Sequence, residues 1–178
     1  MQAIVFRKAT MADVPAVTRL YDGARRFMRR SGNLSQWAGS YPSEADVRAD
    51  IAAGHLYVAE SAGRVAGVFA LIIGPDPTYA HIEGGSWLND EPYGTIHRLA
   101  SDGTVGRLTD RIIDYCLGKI ANLRIDTHAD NAPMLRAIGR NGFTFCGIIR
   151  VADGSPRRAY HLTVLPGDAR AGRIGFVC

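Results

Sequence analysis

The chain has 178 residues, 47% of them hydrophobic and 21% charged, with a formal net charge of +4 and a pI of about 9.2. That length accommodates one domain with a substantial core, and the absence of any apolar run of membrane-span length excludes an integral helical membrane protein. The basic balance fits a phosphate-bearing ligand and also a nucleic acid. Its densest group, however, is Arg25, Arg26, Arg29 and Arg30 on one predicted helix, where a solvated face is preferred over a nucleic-acid stripe.

The opening run Met-Gln-Ala-Ile-Val-Phe-Arg-Lys reads as a first strand over 4–8 and lacks the charged-then-apolar build of a signal peptide. Thr10 with Asp13 makes an acidic capping-box pattern. Val14, Val17, Leu20, Tyr21 and Ala24 follow at helical spacing until Ser31-Gly32-Asn33, a helix-breaking run. Ser43 is placed to cap a second helix that carries Val47 and Ile51 and stops at Gly54, in keeping with the usual start and stop residues. Two strands, over 56–61 and 65–73, flank the tight turn Ala62-Gly63-Arg64, and the second is apolar throughout, as a strand covered on both faces requires.

Residues 78–94 form a long irregular segment rich in Gly, Trp, Asn, Asp and Tyr, of the kind that usually carries function. The spacing then predicts a strand over 96–101, a helix over 105–117, a strand over 123–127 and a short helix over 131–141. Gly142 closes that helix at the left-handed C′ position. Strands over 143–151 and 159–164 complete the pattern, and the tail 166–178, with Gly167, Gly172 and Gly175, is expected to be loose. Cys116, Cys146 and Cys178 are odd in number and share no metal-type spacing, so no metal site is expected and reduced thiols in a cytoplasm are the simplest reading.

The centre of the chain carries the chemistry. His97-Arg98-Leu99-Ala100-Ser101 leads into a helix. Asp126-Thr127-His128-Ala129-Asp130-Asn131 leads into the next, and Gly142-Phe143 enters another strand. In order and spacing these motifs resemble the GNAT superfamily of acetyl-CoA-dependent N-acetyltransferases, and the resemblance covers about residues 4–164, nearly the whole chain. The resemblance implies an α/β GNAT-like domain over 1–165. Its sheet is mixed, mostly antiparallel and seven-stranded, with helices on both faces and the parallel fourth and fifth strands splayed apart. It also implies transfer of an acetyl group from acetyl-CoA to a primary amine by direct attack.

Acyl transfer from a thioester requires a held acyl carrier, a polarised carbonyl and a deprotonated amine. An extended cofactor arm can lie along a strand as an added strand would, and Leu99, Ala100 and Ser101 are the expected strand. A backbone N–H there can stabilise the tetrahedral oxyanion, a contribution of roughly 3–4 kcal/mol for a single donor. The pyrophosphate is expected on the turn and helix start, Thr104, Val105, Gly106, Arg107, Leu108 and Thr109, where N–H groups and the helix dipole attract anions. The family's turn resembles Q/R-x-x-G-x-G/A. This chain has Thr104, Arg107 and Thr109 in that register, with Gly103 and Gly106 displaced. Arg107 either adds charge to the phosphates or blocks the backbone approach that glycine permits.

Two residues compete as general base. His97 is of the residue type most often used for proton transfer near neutral pH, and strand alternation places it on the face of Leu99 and Ser101; the bland alternative is a structural histidine in the sheet. Glu83, in the irregular segment, is the second candidate, as base or cation binder, and otherwise an ordinary loop carboxylate. His81 is a weaker candidate, and His128 is assigned to ordering the turn before Asn131. Where many relatives carry a Tyr that protonates the leaving thiolate, this chain has Ile138; Cys146 and Tyr160 are the nearby alternatives. Asn131 opens its helix and, as the resemblance implies, also hydrogen-bonds the pantetheine amides. Trp37, Trp87 and Tyr93 lie in the irregular segments that would flank a small-molecule or peptide amine, where loop aromatics serve binding or simple packing. Cys116 reads as core.

Two rival functions remain open at this stage. One is a GNAT-like protein that binds an acyl-CoA or another ligand with little turnover. The other is a nucleic-acid-interacting module. A homodimer through an exposed final strand is a further expectation.

Overall fold

The computed structural model describes residues 3–37 and 39–165, so the tail expected to be loose lies outside the described residues. Seven strands form one open sheet: β1 (Val5–Lys8), β2 (Leu56–Ser61), β3 (Arg64–Ile73), β4 (Gly94–Ser101), β5 (Asn122–Thr127), β6 (Thr144–Arg150) and β7 (Pro156–Thr163). The order across the sheet is β1-β2-β3-β4-β5-β7-β6. Pairing is antiparallel for β1 with β2, β2 with β3, β5 with β7 and β6 with β7, and parallel for β4 with β5. This is the mixed, mostly antiparallel seven-stranded architecture expected from the motifs. Four helices accompany it among the described residues: α1 (Val14–Arg30), α2 (Glu44–Ala52), α3 (Leu108–Leu117) and α4 (Ala132–Arg140). No helix is long and apolar enough to cross a membrane among the described residues.

The described residues divide into two compact units, within Met1–Leu71 with His97–Leu108, and within Ile72–Ile96 with Thr109–Cys178. In the first, local chemistry sets the helix starts. Thr10 N–H and Oγ1 both donate to Asp13 Oδ2, at 2.7 and 3.0 Å, and a 3-10 turn, Met11–Asp13, leads into α1. Arg7, bonded to both carboxylate oxygens, holds the Asp13 carboxyl down to about 2. Ser43 caps α2 by accepting the Asp46 N–H at 3.2 Å, while Asp46 Oδ2 accepts the Ser43 N–H at 2.7 Å. Ala62 and Gly63 both take positive φ, 49° and 72°, in the hairpin turn between β2 and β3, as a two-residue turn matched to strand twist demands. The apolar stripe of α1 (Val14, Val17, Leu20, Tyr21) meets Val47 of α2, Leu56 and Val58 of β2, and Val68 and Ala70 of β3. Each such fully buried aliphatic contributes about 1.5–3 kcal/mol.

In the second unit β5 pairs with β7 from Asn122 with Thr163 to Thr127 with Arg158. β6 then pairs with β7 from Thr144 with His161 to Arg150 with Pro156. The last strand is therefore hydrogen-bonded on both sides. This corrects the expectation of an exposed final strand available to a second copy, because a strand with both ladders filled has no free edge to offer. β7 also begins three residues earlier than its apolar pattern indicated, since Pro156, Arg157 and Arg158 already pair with Arg150, Ile149 and Ile148.

The irregular segment before β4 is packed rather than open. Trp87 stacks on Tyr79 with centroids 5.4 Å apart and donates from Nε1 to the Tyr79 carbonyl at 3.1 Å. Glu83 exchanges both backbone hydrogen bonds with Ile148, at 2.8 and 2.9 Å. That approach needs glycine on both sides: a Cβ on Gly85 would lie 2.1 Å from the Cys146 carbonyl oxygen, and one on Gly147 2.5 Å from that of Glu83.

Candidate active site

The expected cofactor residues, from Leu99 to Leu108, follow one another in the first unit with His97 immediately before them. β4 joins β5 through Gly94 with Leu123, Thr95 with Arg124 and Ile96 with Ile125. Two residues beyond Ile96, Arg98 takes φ 50°, a left-handed conformation that costs a non-glycine residue roughly 1–2 kcal/mol. Its side chain supplies a reason for the conformation to persist. Nε and Nη2 donate to Asp50 Oδ2 and Oδ1 of α2 at 2.7 and 2.8 Å, and Nη1 donates to Tyr41 Oη at 3.2 Å. Both charged side chains are largely buried, and the Asp50 and Tyr41 partners push the guanidinium pKa up against the opposing effect of burial. The kink removes the premise that simple alternation aligns His97 with Leu99 and Ser101, because side-chain alternation holds only through extended backbone. His97 and Leu99 are partly buried, Ala100 is buried in the α1–α2 core, and Ser101 is exposed.

Past β4 the expected phosphate turn departs from its predicted form. α3 starts at Leu108, three residues later than its periodicity indicated. The reason is Arg107, whose φ of 57° is incompatible with a helical turn. Gly103 is also left-handed, with φ 77°. Thr104, Val105 and Gly106 thus belong to a turn, and Leu108 and Thr109 open the helix, where the first N–H groups have no intrahelical acceptor. Arg107 adopts the backbone conformation that glycine adopts freely while adding a cation. Asp102 works in the opposite direction: its Oδ1 accepts the Thr104 N–H at 2.9 Å and the Thr104 hydroxyl at 2.6 Å. A carboxylate therefore occupies two donors that would otherwise face an anion. The expected phosphate turn thus carries one cation, Arg107, ahead of the α3 start and one carboxylate, Asp102, that would repel an anion. Trp37, in the same unit, is partly buried with φ 59° and packs edge-on against Tyr21 at 5.4 Å.

The remaining predicted residues lie in the second unit. Asn131 caps α4 by accepting the Met134 N–H at 3.3 Å, and Gly142 closes that helix with φ 78°, as both residue types favour. His128 orders the preceding turn by accepting the Asp130 N–H at 3.2 Å. Glu83 is turned toward Arg150 in a two-pronged ion pair of 2.9 and 3.2 Å, and that hydrogen bonding lowers its pKa, which weakens it as a base. Ile138 is buried, Tyr160 is buried beside Phe145, and burial raises the Cys146 thiol.

Trp87 and Tyr93 are brought together by a residue that sequence reasoning passed over. The Arg124 guanidinium carbon lies 4.2 Å from the Trp87 ring centroid and 3.7 Å from that of Tyr93. Tyr93 Oη accepts the Asp76 N–H at 3.1 Å. The signal was a charged residue inside the apolar run Leu123-Arg124-Ile125, since such residues are seldom buried without a purpose. Arg98 with Asp50, and Asp102 with Thr104, were equally unread, because each pairing depends on where the chain returns or turns.

No protein-family model matches the sequence, and no curated protein matches it. Among solved structures, an acetyltransferase of the GNAT family from Streptococcus agalactiae 2603 is 29% identical, with a TM-score of 0.85 over 92% of this chain and 97% of that one. The chain belongs to the GNAT superfamily. Two more distant GNAT neighbours share the fold. An aminoglycoside acetyltransferase in complex with coenzyme A is 17% identical, with a TM-score of 0.62 over 90% of this chain and 95% of that one. The ribosomal-protein-S18-alanine N-acetyltransferase from Escherichia coli is 17% identical, with a TM-score of 0.57 over 94% and 98%.

Proposed function

We propose that this GNAT protein is an N-acetyltransferase that moves an acetyl group from acetyl-CoA to the primary amine of a small molecule or peptide. The observation that carries the proposal is the backbone from β4 into α3. There a strand leaves its last pair with β5 at Ile96, kinks at Arg98 and passes through a turn with two left-handed residues before the helix opens at Leu108. The likeness to the streptococcal acetyltransferase over nearly all of both chains supports the same reading.

Acetyl-CoA supplies an activated thioester. Leu99, Ala100 and Ser101 hold the pantetheine arm as an added strand. Val105, Gly106, Arg107, Leu108 and Thr109 receive the diphosphate with N–H groups and the Arg107 charge, and Thr104 joins them when its N–H leaves Asp102. The Leu99 N–H polarises the thioester carbonyl. The amine nitrogen attacks the carbonyl carbon, the carbon–sulfur bond breaks, and the thiolate departs with the electron pair. His97, directly or through water, removes the amine proton. It is preferred over Glu83, whose carboxylate is committed to Arg150. No hydroxyl acid is required, because a coenzyme thiolate is a tolerable leaving group. Trp87 and Tyr93 offer aromatic faces to the acceptor, and a cytoplasmic location fits the reduced thiols.

Calorimetry with acetyl-CoA and a thiol-release assay over an amine panel test this together. Binding with release is the expected outcome. Binding without release from any amine supports the second reading, a CoA-binding protein with little turnover, which the Asp102 carboxylate at the phosphate turn and the buried Ile138 favour. For the nucleic-acid alternative, Arg25 is already drawn into bonds with Asp22 and the Pro42 carbonyl, which thins the basic stripe of α1.

A further inference from the structure

β5 is buried along nearly its whole length, and Arg124 stands in its interior with only 4% of its surface exposed. A guanidinium in such a position is costly unless a carboxylate accompanies it. Among the described residues no carboxylate lies within ion-pair distance of Arg124. Tyr93 acts on it both through space and through its side-chain hydroxyl, and Asp90 and Cys146 act only through space. Nη2 donates to the Asn89 carbonyl at 3.0 Å, while Nε is buried with no hydrogen-bond partner. The register partners on the two flanking strands are Thr95 and His161. Neither neutralises the charge. Thr95 Oγ1 is itself buried without a partner. His161 accepts the Leu88 N–H at Nδ1 and meets Asn122 Oδ1 at Nε2, and it is kept uncharged because burial and the Arg124 charge lower its pKa to about 4.

Among the described residues Arg124 is therefore a buried cation with no carboxylate at ion-pair distance. Trp87 and Tyr93 take up the π contacts of the guanidinium, but the Nε–H lies in its plane, where a ring face cannot satisfy it, and is left without an acceptor. The group that matches an in-plane fork, one unit of negative charge and a flat outline is a carboxylate. We propose that Arg124, with Trp87 and Tyr93, is a carboxylate-recognition site, and that the acceptor class is a small amine bearing a carboxylate. The acceptor assignment rests on the transferase reading; the carboxylate site does not.

The test separates the two. The full chain is titrated with N-acetylglycine and with N-acetylglycinamide, which differ in the charged group, by calorimetry and by the shift of the Trp87 indole N–H resonance. Thiol release from acetyl-CoA is measured in parallel with 4-aminobutyrate and 4-aminobutyramide. A charge-assisted hydrogen bond predicts about 10- to 100-fold tighter binding of the carboxylate probe. Arg124→Met should abolish that preference, and Arg124→Lys should lose most of it by losing the planar fork. The wild-type comparison of the two probes stands even if a variant fails to fold. Equal binding of the probes, together with thiol release to both amines, overturns the site and leaves the transferase reading intact. A carboxylate preference without thiol release from any amine retains the site and overturns the transferase reading. A preference that survives Arg124→Met, or tighter binding of inorganic phosphate than of N-acetylglycine, overturns the proposal.

Discussion

Removing Asp50 tests whether the Arg98 kink is built by its ion pair. The carboxylate takes two hydrogen bonds of 2.7 and 2.8 Å, and the two side chains retain only 16% and 13% of their exposure. Breaking a buried pair by deleting one partner costs about 3–5 kcal/mol, because the other charge is left unaccompanied. The Tyr41 hydroxyl remains as one acceptor at 3.2 Å, so the expected cost of Asp50→Ala is near the lower end, about 3 kcal/mol. For a chain of this length that corresponds to a loss of about 6–12 °C in Tm. The assay is urea unfolding with thermal melts, completed as a double-mutant cycle with Arg98→Met. Removing both charges should cost less than removing Asp50 alone, since the double variant buries no lone charge. Because Arg98 lies between His97 and Leu99, the single variant should also lower kcat more than it raises the KM for acetyl-CoA. A cost below about 1 kcal/mol, the range of an exposed pair, or a cycle with no coupling, would refute the claim that the pair holds the kink.

Four further outcomes follow from the same physics. His97→Ala should lower turnover far more than acetyl-CoA affinity; an unchanged pH–rate profile would remove it as the base and make Glu83→Gln the next variant to assay. Arg107→Gly relieves a left-handed residue worth roughly 1–2 kcal/mol of strain but removes a cation, so the calorimetric dissociation constant for acetyl-CoA should change, and an unaltered value would place the diphosphate elsewhere. Gly85→Ala, which sets a Cβ 2.1 Å from the Cys146 carbonyl oxygen, should destabilise by about 1–3 kcal/mol or more in urea unfolding. Finally, His161 has a folded-state pKa of about 4, below its ordinary value of 6.5, so the unfolded chain binds the proton more readily and stability rises with pH across that window. Stability should thus fall by about 2 kcal/mol between pH 7 and pH 4.5, and His161→Gln should flatten the slope; equal slopes for both proteins would show that His161 is not buried neutral.

Local chemistry was legible in the sequence wherever a few neighbouring residues settle the backbone. Thr10 with Asp13, Ser43, Gly63, Asn131 and Gly142 each act within three or four residues of themselves, and each is found in the role its type favours. The order of the motifs likewise led to the GNAT architecture. The start of α3 was misplaced because Gly-Arg-Leu continues the apolar spacing, whereas Arg107 takes a conformation that propensity does not foresee.

What only the tertiary structure decided are the pairings between distant residues. Asp50 reaches Arg98 from 48 positions away, Asn89 accepts from Arg124 across 35, and β7 enters between β5 and β6 rather than beside β6 alone. A charged residue's worth depends on which partners surround it once water is gone, and strand order depends on which ladder the last strand can fill. Neither quantity is contained in the spacing of residues along the chain. The sequence alone indicated most of the segments that turn, coil or extend; the packed sheet determined that Asp50 pairs with Arg98 at the β4 kink and that Arg124 is buried without a carboxylate at ion-pair distance.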